Sequence, residues 1–262
     1  MINFTFKFKG EEIQLSWTNV ALLRNNLLGQ VSNLGDNNSY SKEYHQQLES
    51  VVNGIQEEYN NILSRLENIE FPENPIIVDI GCGTGIIDLV LAKYFKGKAT
   101  FYLIDGDDDL DAIEKNQNEL IHSPGFKTAN SWKCFRDGLV TNNISSSFRL
   151  MSPSDSWEGI QADVVMSIGS CGLHYPIDQY WERIKTAVKP QGYLGFFPLL
   201  SLMSPAAKIK EVFGPAILHN SIPFKQVKEK RANDYTKWLR VWPNLPNDDD
   251  EWAAFKIWQN NR

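Results

Sequence analysis

Asp79, Gly81, Cys82, Gly83, Gly85, Asp105 and Gly106 are the residues of this 262-residue chain whose types and spacing point to chemistry. Glycines in the pattern G-x-G-x-G let a backbone approach a bound group closely, and a helix that starts just after them offers free backbone N–H groups. The dinucleotide fingerprint is G-x-G-x-x-G, whereas here the third glycine, Gly85, arrives one residue early. Asp79 would set a carboxylate beside the loop, where it repels a pyrophosphate and attracts a cation. Asp105 lies 20 residues beyond Gly85, the offset at which the next strand of a βαβ unit delivers an acid to ribose hydroxyls. Together these residues describe a site for a ligand with positive charge near an adenosine.

The elements that must position them are legible nearby. Ile76 to Ile80 is a branched apolar run after Pro75 and reads as a buried parallel strand. The periodic segment Ile86 to Phe95 continues from the glycine loop as a helix, and Thr100 to Ile104 is a short strand that ends at Asp105. An ordinary tight turn and an ordinary capping acid have the same local look, so the argument rests on the two motifs occurring together at this spacing.

At this point the pattern resembles the class I S-adenosylmethionine-dependent methyltransferases, from about Ile76 to about Leu200. The resemblance implies an α/β fold: a doubly wound, mostly parallel seven-stranded sheet with helices on both faces. It implies that the loop from Asp79 through Gly81, Cys82, Gly83 and Gly85 holds the methionine end of S-adenosylmethionine, and that Asp105 with Gly106 holds the ribose. Phe148 to Met151 would be the third strand, and Asp155, with Ser154 before it, matches the acid that contacts the adenine amino group. That match is short, and a surface-turn acid reads the same way. Asp163 to Gly169 would be the fourth strand, bringing Ser167 to the cofactor, and the segment Ser170 to Pro176 matches the loop that borders the methyl group. Lys189-Pro190-Gln191-Gly192 matches the family's turn and Tyr193 to Leu200 its fifth strand.

His174 is the histidine within that methyl-site loop, and an imidazole there suits a general base for a hydroxyl acceptor. A packing or capping histidine is the alternative reading. The N-P-P-Y-type segment of amino-methylating nucleic-acid enzymes is absent after the fourth strand, where Ser167-Ile168-Gly169-Ser170 stands, and no Pro-Cys pair suggests a cytosine enzyme. The net charge of -6 and pI near 5.3 also argue against a surface built for phosphate backbones. These features favour a small-molecule acceptor with a hydroxyl, a sugar or another hydroxylated metabolite, and no nucleic acid. A nucleic-acid methyltransferase and a non-catalytic cofactor-binding subunit are the competing readings.

The rest of the chain supplies a frame. Hydrophobic residues make up 42% of it, enough to bury a substantial core. The expected organisation is a hairpin and helical lid extension over residues 1–70, then a cofactor-binding domain over 71–262. Ile2, Phe4, Phe6, Phe8, Ile13, Leu15 and Trp17 alternate with polar residues as a one-sided β-hairpin, which must lie on something because a lone hairpin is marginal in water. This extension is also the expected route to a homodimer. A short helix follows from Thr18 to Gly29, and a long one carries the stripe Tyr44, Leu48, Val52, Ile55, Tyr59, Ile62, Leu66, Ile69 up to the Pro72 region. Further helices are expected over Asp107–His122, on the stripe Trp132, Phe135, Leu139, Val140, on Tyr180, Trp181, Ile184, Val188, and over Ser204–Phe213, with Gly214 just past its end. Late strands are expected around Ile217 and from Lys237 to Trp242, with Trp252 to Trp258 as a docking segment. Cys82, Cys134 and Cys171 show neither a disulfide framework nor metal-ligand spacing, which suits a cytoplasmic setting, and no signal peptide or membrane span is expected.

Overall fold

The computed structural model describes residues 2–17, 52–53, 56–57, 59–106, 132–168, 177–197, 206–223 and 251–262. The helices expected over 18–29 and 107–122, the strand expected at Lys237–Trp242, and His174 lie outside these residues. The chain divides into two compact units, one of Met1–Asn74 with Cys82–Ser154 and one of Pro75–Gly81 with Asp155–Arg262.

The first unit opens with the hairpin, β1 (Ile2–Phe8) against β2 (Glu11–Trp17), antiparallel, with Phe4 opposite Leu15 and Phe6 opposite Ile13. A two-residue turn joins them, with φ 47° at Lys9 and 78° at Gly10, the left-handed pair of a type I′ turn. Lysine is tolerated at the first position because its ammonium donates to the Ile69 carbonyl at 2.9 Å and lies 5.5 Å from the Phe71 ring centre. Phe4, Phe6, Phe8, Ile13, Leu15 and Trp17 are buried, as the alternation requires. They meet helix α1, helical through residues 59–66, where Tyr59 stands edge-on to Phe6 and Ile62, Leu63 and Leu66 are buried. At the far end Phe8 packs edge-on against Tyr94 with ring centres 4.9 Å apart.

Both hairpin edges are occupied by side chains. On the β1 side Gln56 accepts from the Thr5 amide at 2.7 Å, Asn60 from Lys7 at 2.8 Å, and Glu67 from Lys9. On the β2 side Lys93 donates to the Gln14 carbonyl at 2.6 Å, and burial lowers its pKa from the ordinary lysine value. Asn142 closes the same edge with three bonds, accepting from the Ser16 amide and donating to the Ser16 and Gly138 carbonyls, each at 2.7 Å.

The unit continues with α2 (Ile86–Tyr94), buried throughout from Ile86 to Ala92, and with β4 (Thr100–Ile104) paired in parallel with β5 (Ser147–Met151). Between these strands runs α3 (Trp132–Thr141), which with α2 packs on β2. Its buried face is Trp132, Phe135 and Gly138, with Leu139 half-buried, while Val140 is 82% exposed, against the stripe expected from sequence. The reason is Gly138, where an added Cβ would stand 2.8 Å from Leu89 and 3.0 Å from the Trp17 ring. Two residues along a helix is about 200° of rotation, so Val140 turns outward.

In the second unit the strands run in the order β3 (Ile76–Ile80), β6 (Ala162–Ile168), β7 (Val188–Phe197), β9 (Glu251–Gln259) and β8 (Leu218–Pro223). The first three are parallel, and β9 is antiparallel to both of its neighbours. Helix α4 (Trp181–Ala187) packs on β6 and β7, and α5 (Ala206–Phe213) ends where Gly214, at φ 81°, donates to the Lys210 carbonyl. Two expectations change here. Val188 is the extended C-cap of α4, its amide donating to the Ile184 carbonyl, and opens β7 instead of continuing the helix, and the Lys189–Gly192 turn is absorbed as a bulge, because Ala162 faces Val188 while Val164 faces Tyr193. Asn260 holds the bulge, its side-chain amide donating to the Val188 and Lys189 carbonyls at 3.0 and 2.9 Å. The aromatic end, expected to dock, is instead strand β9.

The fold is therefore α/β: mostly parallel strands with helices, preceded in the chain by an antiparallel hairpin. Among the described residues no helix is long and apolar enough to cross a membrane. The Asn142 clasp makes a measurable prediction. Asn142→Ala leaves a half-buried amide and two carbonyls without that partner, so it should cost about 1–3 kcal/mol in urea unfolding. Asn68→Ala, which removes one exposed bond to the Arg65 carbonyl, should cost under about 0.5 kcal/mol.

Candidate functional site

The site begins at the carboxyl end of β3. This strand pairs in parallel with β6 although β4 and β5 intervene in the chain. Asp79 is 3% exposed and lies opposite Met166. Ser167, also buried, donates its hydroxyl to the Ile80 carbonyl at 2.7 Å.

From β3 the backbone enters a loop in which Gly81, Gly83 and Gly85 have φ of 71°, 56° and 68°, all in the left-handed region that favours glycine. The Gly85 amide donates to the Cys82 carbonyl at 2.9 Å, and Gly85 is the N-cap of α2. The two sides of this loop differ. A Cβ at Gly85 would stand 2.5 and 2.7 Å from the Phe135 ring, whereas a Cβ at Gly83 would meet nothing within 4 Å among the described residues. Among the described residues the Gly83 side is open, and Cys82 beside it is a half-buried thiol outside any disulfide.

Asp105, one residue past β4, reaches this loop. Its Oδ2 accepts the Gly83 amide at 2.8 Å and its Oδ1 accepts the Gly106 amide at 2.7 Å. These two backbone bonds orient the carboxylate. Asp88, in the first turn of α2, is fully buried and stands where a helix favours negative charge. The sequence reading passed over it, although an acid one turn after a glycine loop was a visible signal.

Around the turn after β5, Ser154 and Asp155 are exposed, and the Ser154 hydroxyl lies 3.0 Å from that of Ser152. Arg183 donates to the Asp155 carbonyl at 3.3 Å and to the Gln179 carbonyl at 2.8 Å. Its guanidinium lies 4.9 Å from the Tyr180 ring centre and 5.4 Å from that of Trp157. The acid's backbone is thereby clamped by a residue that sequence reading did not single out. Within the first unit the structure brings together Cys82, Gly83, Gly85, Asp105 and Gly106, with Ser154 at its end; Asp79, Gly81, Asp155 and Ser167 belong to the second.

No family model matches the chain. It is 29% identical over 125 residues to the ribosomal protein L11 methyltransferase of Haemophilus ducreyi, covering 48% of this chain and 34% of that protein. The matched part thus spans about a third of that relative's length. Among solved structures, StiE O-MT residues 961-1257 aligns with 98% of this chain and 85% of its own, at TM-score 0.50 and 12% identity. A methyltransferase from Pyrococcus furiosus aligns with 75% of this chain and 80% of its own, at TM-score 0.42 and 15% identity. The chain thus shares its fold with solved methyltransferases, and over the matched 125 residues it is similar in sequence to a methyltransferase of ribosomal protein L11.

Proposed function

We propose that this chain is an S-adenosylmethionine-dependent methyltransferase acting on a small hydroxylated acceptor. The observation that carries the cofactor assignment is the bond from the Gly83 amide to Asp105, because it joins the glycine loop to the acid suited to ribose. The open space beside Gly83 fits a ligand laid along the loop. When bound, S-adenosylmethionine would supply a methyl group on a sulfonium. The chain's own part is to bind and orient. Asp79 would meet the cationic amino-acid end, Asp105 with Gly106 the ribose, and Ser154 with Asp155 the adenine, and Gly81, Cys82, Gly85 and Ser167 would be further cofactor contacts. His174 would take the acceptor hydroxyl's proton as general base, with proximity supplying the larger share of the acceleration.

The net charge of -6 supports a small acceptor over a nucleic acid. A protein acceptor is the second reading, favoured by the L11 methyltransferase match. Self-association through the N-terminal extension would use the outer polar face of the hairpin, since side chains occupy both of its edges.

Calorimetry should show S-adenosylhomocysteine binding with NAD at least about a hundredfold weaker, since a carboxylate beside the loop disfavours a pyrophosphate. Equal affinity for NAD would overturn the assignment. Asp105→Ala should weaken S-adenosylhomocysteine by about 1–3 kcal/mol, the range for losing bonds to a charged acceptor.

His174→Ala should leave cofactor affinity nearly unchanged and lower turnover about a hundredfold or more with any hydroxylated small molecule that the wild type methylates. A base must be neutral to accept a proton, so the wild-type rate should rise with pH through the imidazole titration and the variant should lack that limb. A variant with wild-type turnover would make His174 a packing residue.

A further inference from the structure

We infer that Phe135 is a positioning residue for the glycine loop, holding Gly85 in its left-handed conformation so that the open Gly83 side faces the ligand. This rests on the cofactor reading above. The Phe135 ring fills the room a side chain at Gly85 would take, its Cδ2 and Cε2 lying 2.5 and 2.7 Å from the Cβ position. The ring is fully buried and is itself held on two sides. Trp132 stands edge-on at 6.4 Å between centres and Phe148 edge-on at 5.1 Å. Phe148 in turn stacks on Phe101 of β4 with centres 4.8 Å apart.

The same strand therefore grips the loop twice. Past its end, Asp105 bonds the Gly83 amide; from its middle, Phe101 supports Phe148, which supports Phe135 against Gly85. Glycine has wide conformational freedom, and a loop with left-handed glycines at positions 81, 83 and 85 loses its one preferred shape unless neighbours impose it. A ligand that binds a preordered loop is spared the cost of ordering it, which is how a residue that never touches the ligand raises affinity. The asymmetry of the loop, packed at Gly85 and open at Gly83, assigns Phe135 to the back of the site.

The test is a double-mutant cycle with Gly85→Ala, Phe135→Ala and the double variant. It is read by S-adenosylhomocysteine calorimetry, by amide hydrogen exchange of the peptide covering residues 81–88, and by urea midpoints. Phe135→Ala should weaken S-adenosylhomocysteine about tenfold and speed exchange in that peptide beyond any global change. Gly85→Ala should be far more damaging in wild type, where the added methyl meets the ring, than in the Phe135→Ala background, where the loss should be at least about tenfold smaller. Phe135→Leu, which keeps an apolar side chain but withdraws the ring, should give the same sign of coupling if the alanine variant does not fold. Multiplicative losses, or exchange that follows global unfolding alone, overturn the inference. Coupling in the exchange data with no S-adenosylhomocysteine bound to wild type would sink the cofactor reading and leave Phe135's role intact.

Discussion

Within five residues the backbone must leave a buried strand, turn, and begin a buried helix, and the arrangement of the candidate site depends on that constraint. Every step falls on a glycine in the left-handed region, at Gly81, Gly83 and Gly85, because other residues adopt that region only at a cost. The turn leaves the Gly83 amide outside any helix or strand ladder, and Asp105 satisfies it. The Gly106 amide orients the same carboxylate, which is the acid proposed above for a ribose. The buried α2 and the aromatic stack from Phe101 to Phe135 pack behind the turn.

The N-terminal hairpin follows a different rule. Two strands alone bury too little to be stable, and their free edges invite other strands. Here the apolar face is covered in its own unit by α1, α2 and α3, and side chains from Gln56, Asn60, Glu67, Lys93 and Asn142 take the place of further strands along the edges. The hairpin is therefore built into the same compact unit as the glycine loop's distal part and Asp105. A residue such as Trp17, which touches the space above Gly138, belongs to both the hairpin and the helix that carries Phe135.

What the sequence by itself determined is local. Period-two alternation defined β1 and β2, a branched apolar run before the glycines defined β3, and the offset from Gly85 to Asp105 defined the acid at the end of β4; each signal lies within one element or one βαβ unit. Tertiary structure decided what depends on distant partners. The Trp252–Trp258 run became a strand only because β7 and β8 offer it hydrogen bonds on both sides, and Lys189–Gly192 became a bulge only because Asn260 bonds the Val188 and Lys189 carbonyls. Val140 faced outward because Gly138 lies against Leu89 and Trp17, and Phe135 reached Gly85 from 50 residues along the chain. A pattern in sequence records which residues prefer burial and with what period, but the neighbour that fills the space beside a glycine is chosen only when separate segments pack.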